Sequence, residues 1–156
     1  MANKTRSIKL SQKIAAPASK IYPKLIESKE LTRWFPTRAE SDPVVGGHYM
    51  LAFEFTDKSV AEKGNHTRKG QFLDLKPNER VRYTWEVDNT EVTFDLKQST
   101  GGTEIDLIHS GWPEGEDEAA YQSHTRGWQF FLSNLKTLIE DGVDNRATAM
   151  GMEAKS

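Results

Sequence analysis

Two histidines are the residues in this chain whose type and position could do chemistry. His109 alternates with Ile105 and Leu107, and His124 recurs at helical spacing with Tyr121 and Trp128. If both faces point inward, two imidazoles enter one apolar interior. Three uses follow. They could be interior histidines bonded to neighbours such as Tyr121 or a backbone carbonyl, since buried polar groups find partners. They could be the few polar groups that orient a ligand in an apolar pocket. Either could serve as an acid–base group. A catalytic zinc needs three protein ligands, and only these two histidines have an inward position, so no metal or other cofactor is expected. His48 lies beside Gly46-Gly47 and His66 at a loop end, and both read as solvated. The chain has no Cys, which removes thiolate ligands and Cys nucleophiles together. Gly-rich phosphate loops, nucleophile elbows and two-histidine helix motifs are absent from it, and no catalytic residue is assigned.

The aromatic residues pose the second question. Tyr49, Phe53, Phe55, Phe72, Tyr83, Trp85, Phe94, Trp128 and Phe131 sit on or near apolar faces. Most such residues build a core, yet large aromatics spread around a space between sheet and helix also line ligand cavities. The candidate ligand-binding set is Tyr49, Phe53, Trp85, Phe94, His109, His124, Trp128 and Phe131. Gly127 costs helix propensity. Its absent side chain serves either close packing against a sheet, the favoured reading, or an open pocket wall. Lys58, Glu62 and Lys63 read as an ordinary solvated loop.

The elements that position these residues follow from periodicity. Ile8, Leu10 and Ile14 share one face of a first strand. Pro17 suits the first position of a short helix carrying Ile21, Tyr22, Leu25 and Ile26, which Pro23 should kink or end early. Ser28 is expected to cap a second short helix containing Leu31, Trp34 and Phe35, stopped by Pro36. The period then becomes two. Strands are expected around Thr37–Asp42, Tyr49–Phe55, Gly70–Lys76, Val81–Val87, Val92–Leu96 and Ile105–His109, with turns at Gly46-Gly47, Pro77-Asn78, Asp88-Asn89 and Gly101-Gly102. Thr56 to His66 reads as a loop, and Trp112 to Gly115 as a break. A long helix follows, with Glu116, Asp117 and Glu118 at its start, where the macrodipole favours negative charge. Tyr121, His124, Trp128, Phe131, Leu135 and Leu138 form one stripe along it, and Gly142 stops it. The expected fold class is α+β: a curved antiparallel sheet wrapped around a long C-terminal helix, with two short helices after the first strand. Residues 1–142 are expected to form one domain and 143–156 a flexible tail.

Composition narrows the function classes. The chain has 156 residues with 21 Lys+Arg and 23 Asp+Glu, a formal net charge of −2. That length suits one domain and a core that needs no disulfide. Near-neutral, interspersed charge argues against nucleic acid as a partner. No apolar run is long enough to enter a membrane as a helix, and the basic start Met1–Ser7 lacks the apolar stretch of a signal peptide. A cytoplasmic setting is expected. The composition leaves oligomeric state open.

The order of these features resembles the START-like superfamily, also called SRPBCC or Bet v 1-like, and within it the branch named for the activator of Hsp90 ATPase homologue 1. The resemblance spans about residues 6–141. It rests on Ala16-Pro17 followed by Ile21-Tyr22, then Leu31, Trp34-Phe35 and Gly46-Gly47. Thr84-Trp85, Thr103, Leu107, His109, Gly111-Trp112, His124 and Gly127-Trp128 continue it, with Leu132, Leu135 and Leu138. Pro23 departs from the family's helix pattern. The resemblance implies the helix-grip fold and a cavity between the sheet and the last helix that takes hydrophobic small molecules. Three functions are therefore carried forward. The first is non-catalytic binding of a small apolar or aromatic molecule. The second is a chaperone-interaction domain of the Hsp90 type. The third is a cyclase- or hydratase-like enzyme using His109 or His124, helped by Tyr83 or Tyr121.

Overall fold

The computed structural model describes residues 4–54, 66–115 and 117–147. Phe55, the loop expected over 56–65, Glu116 and residues 148–156 lie outside the described residues. Among the described residues, seven strands form one antiparallel sheet: β1 (Thr5–Ile14), β2 (Arg38–Ser41), β3 (His48–Phe53), β4 (His66–Lys76), β5 (Arg80–Trp85), β6 (Thr90–Ser99) and β7 (Gly102–Pro113). Their spatial order is β1-β7-β6-β5-β4-β3-β2, so β1 and β2 are the edges. The helices are α1 (Ala18–Ile26), α2 (Ser28–Leu31) and α3 (Glu118–Asp141). The sheet curls around α3, and the core lies between its concave face and the helix stripe of Trp128, Phe131, Leu132, Leu135 and Leu138. The expected helix-grip architecture is what the chain adopts. No helix of the described residues is long and apolar enough to cross a membrane.

Local chemistry explains where the elements differ from the sequence expectation. Pro17 is the N-cap of α1 and not its first residue. Pro23 does not end α1, which runs on to Ile26. In a helix this short the proline forfeits one backbone bond. Burial of Ile21, Tyr22, Leu25 and Ile26 offsets that loss. Glu27, not Ser28, occupies the N-cap of α2, and Ser28 begins the helix without a capping bond. The mixed pattern of β4 has a physical origin: pairing with β5 shifts register between Phe72 and Asp74, so the chain changes faces there.

Strand β7 is longer than expected and runs through Trp112 to Pro113. Its pairing jumps from Ile8↔His109 to Arg6↔Trp112, which inserts one extra residue in β7. Gly111 supplies the left-handed conformation there, with φ +93°. The bulge shifts the alternation by one, so Trp112 turns to the same interior as His109 and is fully buried. Glycine serves a different purpose in β4. A Cβ on Gly70 would lie 2.6 Å from the Tyr49 ring, so its absence lets that ring lie across the strand.

Residues 143–147, the head of the expected tail, lie against the domain. Arg146 is buried and donates from Nη1 to the carbonyl oxygens of Phe35 and Pro36 at 3.3 and 2.7 Å, and from Nη2 to Thr32 O at 2.6 Å. Asp144 accepts from Arg146 Nη2 at 2.8 Å and from Asn134 Nδ2 at 3.0 Å. Burial raises the Asp144 pKa, and its bonds from Arg146 and Asn134 outweigh that, so the carboxyl sits below its ordinary value. This fork satisfies the carbonyl of Thr32, the C-cap of α2, and two carbonyls of the segment that follows it.

Candidate functional site

Both inward histidines are where periodicity put them, and neither nitrogen pair is idle. Trp128 on α3 donates its indole N–H to His109 Nδ1 at 2.9 Å. An indole N–H can only donate. His109 Nδ1 is therefore the acceptor, and Nε2 carries the proton toward Thr90 Oγ1 at 2.7 Å. The Thr90 hydroxyl in turn donates a hydrogen bond to Val87 O at 2.8 Å. Trp85 on β5 likewise donates to His124 Nε2 at 3.2 Å, which places the His124 proton on Nδ1, bonded to Ala120 O at 2.8 Å. Two indoles thus fix two opposite imidazole tautomers and stitch α3 to β5 and β7.

This network favours a neutral His109 ring. Burial, reinforced by the neighbouring His124, pushes the His109 pKa down to about 2. A protonated Nδ1 would also face the Trp128 N–H, donor against donor. The two imidazoles lie 5.6 Å apart, with Trp112 packed 4.8 Å from His109 and 4.9 Å from His124. The two His109 nitrogens are taken up by an indole and a hydroxyl. Tyr83 is buried, and its phenol is held well above its ordinary pKa by burial and by Tyr49. Tyr121 Oη donates to Ser7 O at 3.2 Å, and Arg6 lies 3.6 Å over its ring. Among the described residues, no group of three or more His, Asp or Glu side chains is placed to hold a metal.

The aromatic side chains pack around Phe35, which enters from the segment after α2. Its ring centroid lies 5.0 Å from Phe53, 5.1 Å from Trp128 and 4.9 Å from Phe131. Trp85 and Trp128 are 5.8 Å apart, and Phe94 closes on Trp128 at 5.8 Å. These rings fill most of the space between sheet and helix. What remains is a partly open cleft of about 60 Å³ between α3 and the ends of β3 and β4. It is far smaller than a typical drug-sized pocket, roughly 300–1,000 Å³.

The structure sorts the candidate residues. Phe53, Trp85, His124, Trp128 and Phe131 line the cleft together. Tyr49, Phe94 and His109 do not: they are packed into the core, and His109 is fully buried. Tyr49 instead donates to Thr84 O at 2.5 Å, its ring lying where a Cβ on Gly70 would be. Phe35, His66, Arg68, Ser123 and Gly127 also line the cleft and were not in the expected set. Gly127 is not closely packed: no described atom lies within 4 Å of where its Cβ would be, apart from the helix itself. His66, expected to be solvated, is half-buried at the cleft. The helical face Ser123, Gly127, Phe131 could have pointed to Gly127. Nothing in the local pattern pointed to His66 and Arg68, because β4 begins before its alternation becomes apolar.

Comparison with known proteins agrees with this geometry. A solved structure of the Aha1 dimer from Colwellia psychrerythraea is 26% identical, with a TM-score of 0.70 over 88% of this chain and 98% of that one. Protein NE0264 from Nitrosomonas europaea shares the fold at 18% identity, with a TM-score of 0.74 over 87% of this chain and 95% of that one. The uncharacterised protein C1711.08 of Schizosaccharomyces pombe is 23% identical over 134 residues, 82% of this chain. The chain spans only 35% of that relative's length. The sequence profile of the activator of Hsp90 ATPase homolog 1-like proteins matches residues 15–140, most of the chain, and the chain belongs to that family, a branch of the START-like superfamily.

Proposed function

We propose that this chain binds a small apolar or aromatic molecule, without catalysis, in the cleft between α3 and the sheet. The observation that carries the reading is the lining itself. Phe35, Phe53, Trp85, Trp128 and Phe131 present ring surface to an open space that Gly127 leaves unfilled. Apolar lining with few polar groups is the usual make-up of a small-molecule site. The volume of about 60 Å³ is less than half of the roughly 150 Å³ that encloses a benzene ring, so the inserted part is the edge of one ring, with the remainder of the molecule in the mouth. His124 contributes an edge that is already bonded, so it shapes the wall more than it orients the ligand. The bonding of His109 to an indole and a hydroxyl, in a site that keeps its ring neutral, speaks against that residue as the acid–base group of a cyclase- or hydratase-like enzyme.

The test is native mass spectrometry of protein purified from its own source, paired with quenching of Trp85 and Trp128 fluorescence by small aromatics. Retained low-mass ligand and saturable quenching support binding. Absence of both rejects it. The family's description favours a second reading, contact with an Hsp90-type chaperone through an outer surface. Stimulation of Hsp90 ATPase turnover by the purified chain would support that reading, and no effect at saturating concentration would reject it.

A further inference from the structure

One side chain keeps the cleft small. Phe35 lines it, with its ring 5.0 Å from Phe53, 5.1 Å from Trp128 and 4.9 Å from Phe131. Phe35 stands on the irregular stretch between α2 and β2, residues 32–37. With no ladder to hold this stretch, its carbonyls need other donors. They find them at the far end of the chain. Arg146 donates to the carbonyls of Thr32, Phe35 and Pro36, and Asn134 on α3 donates to that of Trp34 at 3.0 Å. Asn134 also grips the backbone from which Arg146 reaches over. Its Nδ2 donates to Asp144 at 3.0 Å, and its Oδ1 accepts the N–H of Asn145 at 2.7 Å. Residues 143–147 are thus a strap tied to α3 on one side and to the Phe35 segment on the other.

The two aromatic residues of that segment are held differently. Trp34 is fully buried and has its own anchor, its indole N–H donating to Lys24 O of α1 at 2.7 Å. The Phe35 side chain has no polar atom. Ring packing and the place of its backbone fix it, and Arg146 holds the carbonyls of both Phe35 and Pro36. Resting on the binding function proposed above, we propose that residues 143–147 are a latch on the ligand cavity. With Arg146 seated, Phe35 plugs the interior and only the edge of a ring enters. With Arg146 withdrawn, Phe35 swings out on the Trp34 anchor, and one whole aromatic ring takes its place among Phe53, Trp128 and Phe131. The vacated space is that of a phenyl ring, which a cleft of about 60 Å³ does not supply by itself. A hydrogen-bonded latch suits this use. Guanidinium and carbonyls exchange their bonds for bonds to water on opening, so the net cost is modest. Asp144 moves with Arg146 on the same strap and keeps its charge paired in both states.

The experiment titrates toluene into ¹⁵N-labelled wild type, Arg146→Lys and Ile14→Ala. The indole N–H signals of Trp85 and Trp128 report binding, and thermal unfolding confirms that each variant is folded. Arg146→Lys keeps a cation beside Asp144 but cannot span the fork. Ile14→Ala loosens the core at the opposite end of β1, where Ile14 pairs with Thr103. An apparent Kd is the intrinsic one divided by the fraction of open molecules, so a weaker latch tightens binding. Arg146→Lys is expected to bind toluene about fivefold or more tightly than wild type, and Ile14→Ala to match wild type. Equal affinity of wild type and Arg146→Lys overturns the latch and leaves the binding function standing. Equal tightening in Ile14→Ala also overturns it, because general loosening then suffices. A second measurement needs wild type alone. At saturating toluene the NOEs between the Phe35 and Phe131 rings are expected to disappear, and their persistence overturns the displacement of Phe35. If toluene moves no indole signal in any of the three proteins, the latch and the apolar-binding reading fall together.

Discussion

Trp128 Nε1 and His109 Nδ1 are 2.9 Å apart, and this bond joins α3 to β7 through the interior of the domain. It fixes which nitrogen of His109 is protonated, and through Thr90 it reaches the turn at Val87. Removing the acceptor leaves a buried indole N–H unpaired. His109→Leu is expected to cost about 1–3 kcal/mol for that lost partner. Chemical denaturation of the variant and of wild type measures it. A change within error would show that the bond contributes little beyond shape.

The same histidine makes stability depend on pH. Its ordinary pKa of 6.5 falls to about 2 in the folded protein through burial, then through His124. Between those values the unfolded chain holds a proton that the folded chain refuses. The contribution is fully present above pH 6.5 and is lost as pH falls toward 2. At pH 5 the loss relative to neutral pH is about 2 kcal/mol. Denaturation midpoints at pH 7.5 and 5 are expected to show this loss in wild type and to show it reduced in His109→Leu.

Gly127 separates stability from binding. Alanine there meets no described atom within 4 Å outside the helix itself, and it removes the helix penalty of glycine. Gly127→Ala is expected to raise stability by about 0.5–1 kcal/mol. Gly127→Leu is expected to fill the cleft and abolish quenching by small aromatics while the protein stays folded. Thermal melts and fluorescence titration of the two variants check both halves.

Arg146 holds the wall of the cleft from behind. It bonds the carbonyl of Phe35, whose ring sits at the centre of the aromatic cluster. Arg146→Ala leaves Asp144 without its cation and three carbonyls without their donor. The expected loss is about 3 kcal/mol. Arg146→Lys is expected to recover only part of it, because an ammonium cannot span the same fork. Denaturation of both variants, with the NMR signals of Phe35, reads the effect.

Periodicity alone determined the strand and helix order, because an alternating face and a 3.6-residue stripe each have one way to bury themselves. It placed His109, His124, Trp85 and Trp128 inward for the same reason. The family was also legible, through the spacing of Ala16-Pro17, Trp34-Phe35 and Gly127-Trp128. Which indole meets which imidazole was not, since those bonds join residues 19 and 39 positions apart. The fate of Trp112 was hidden as well, because a one-residue bulge at Gly111 reverses the faces beyond it. Arg146 read as tail, for its partners are carbonyls that the sequence does not display. Whether the rings would fill the interior or line it was decided only by packing. Phe35 fills the centre, Gly127 leaves one wall open, and a small cleft lies between them.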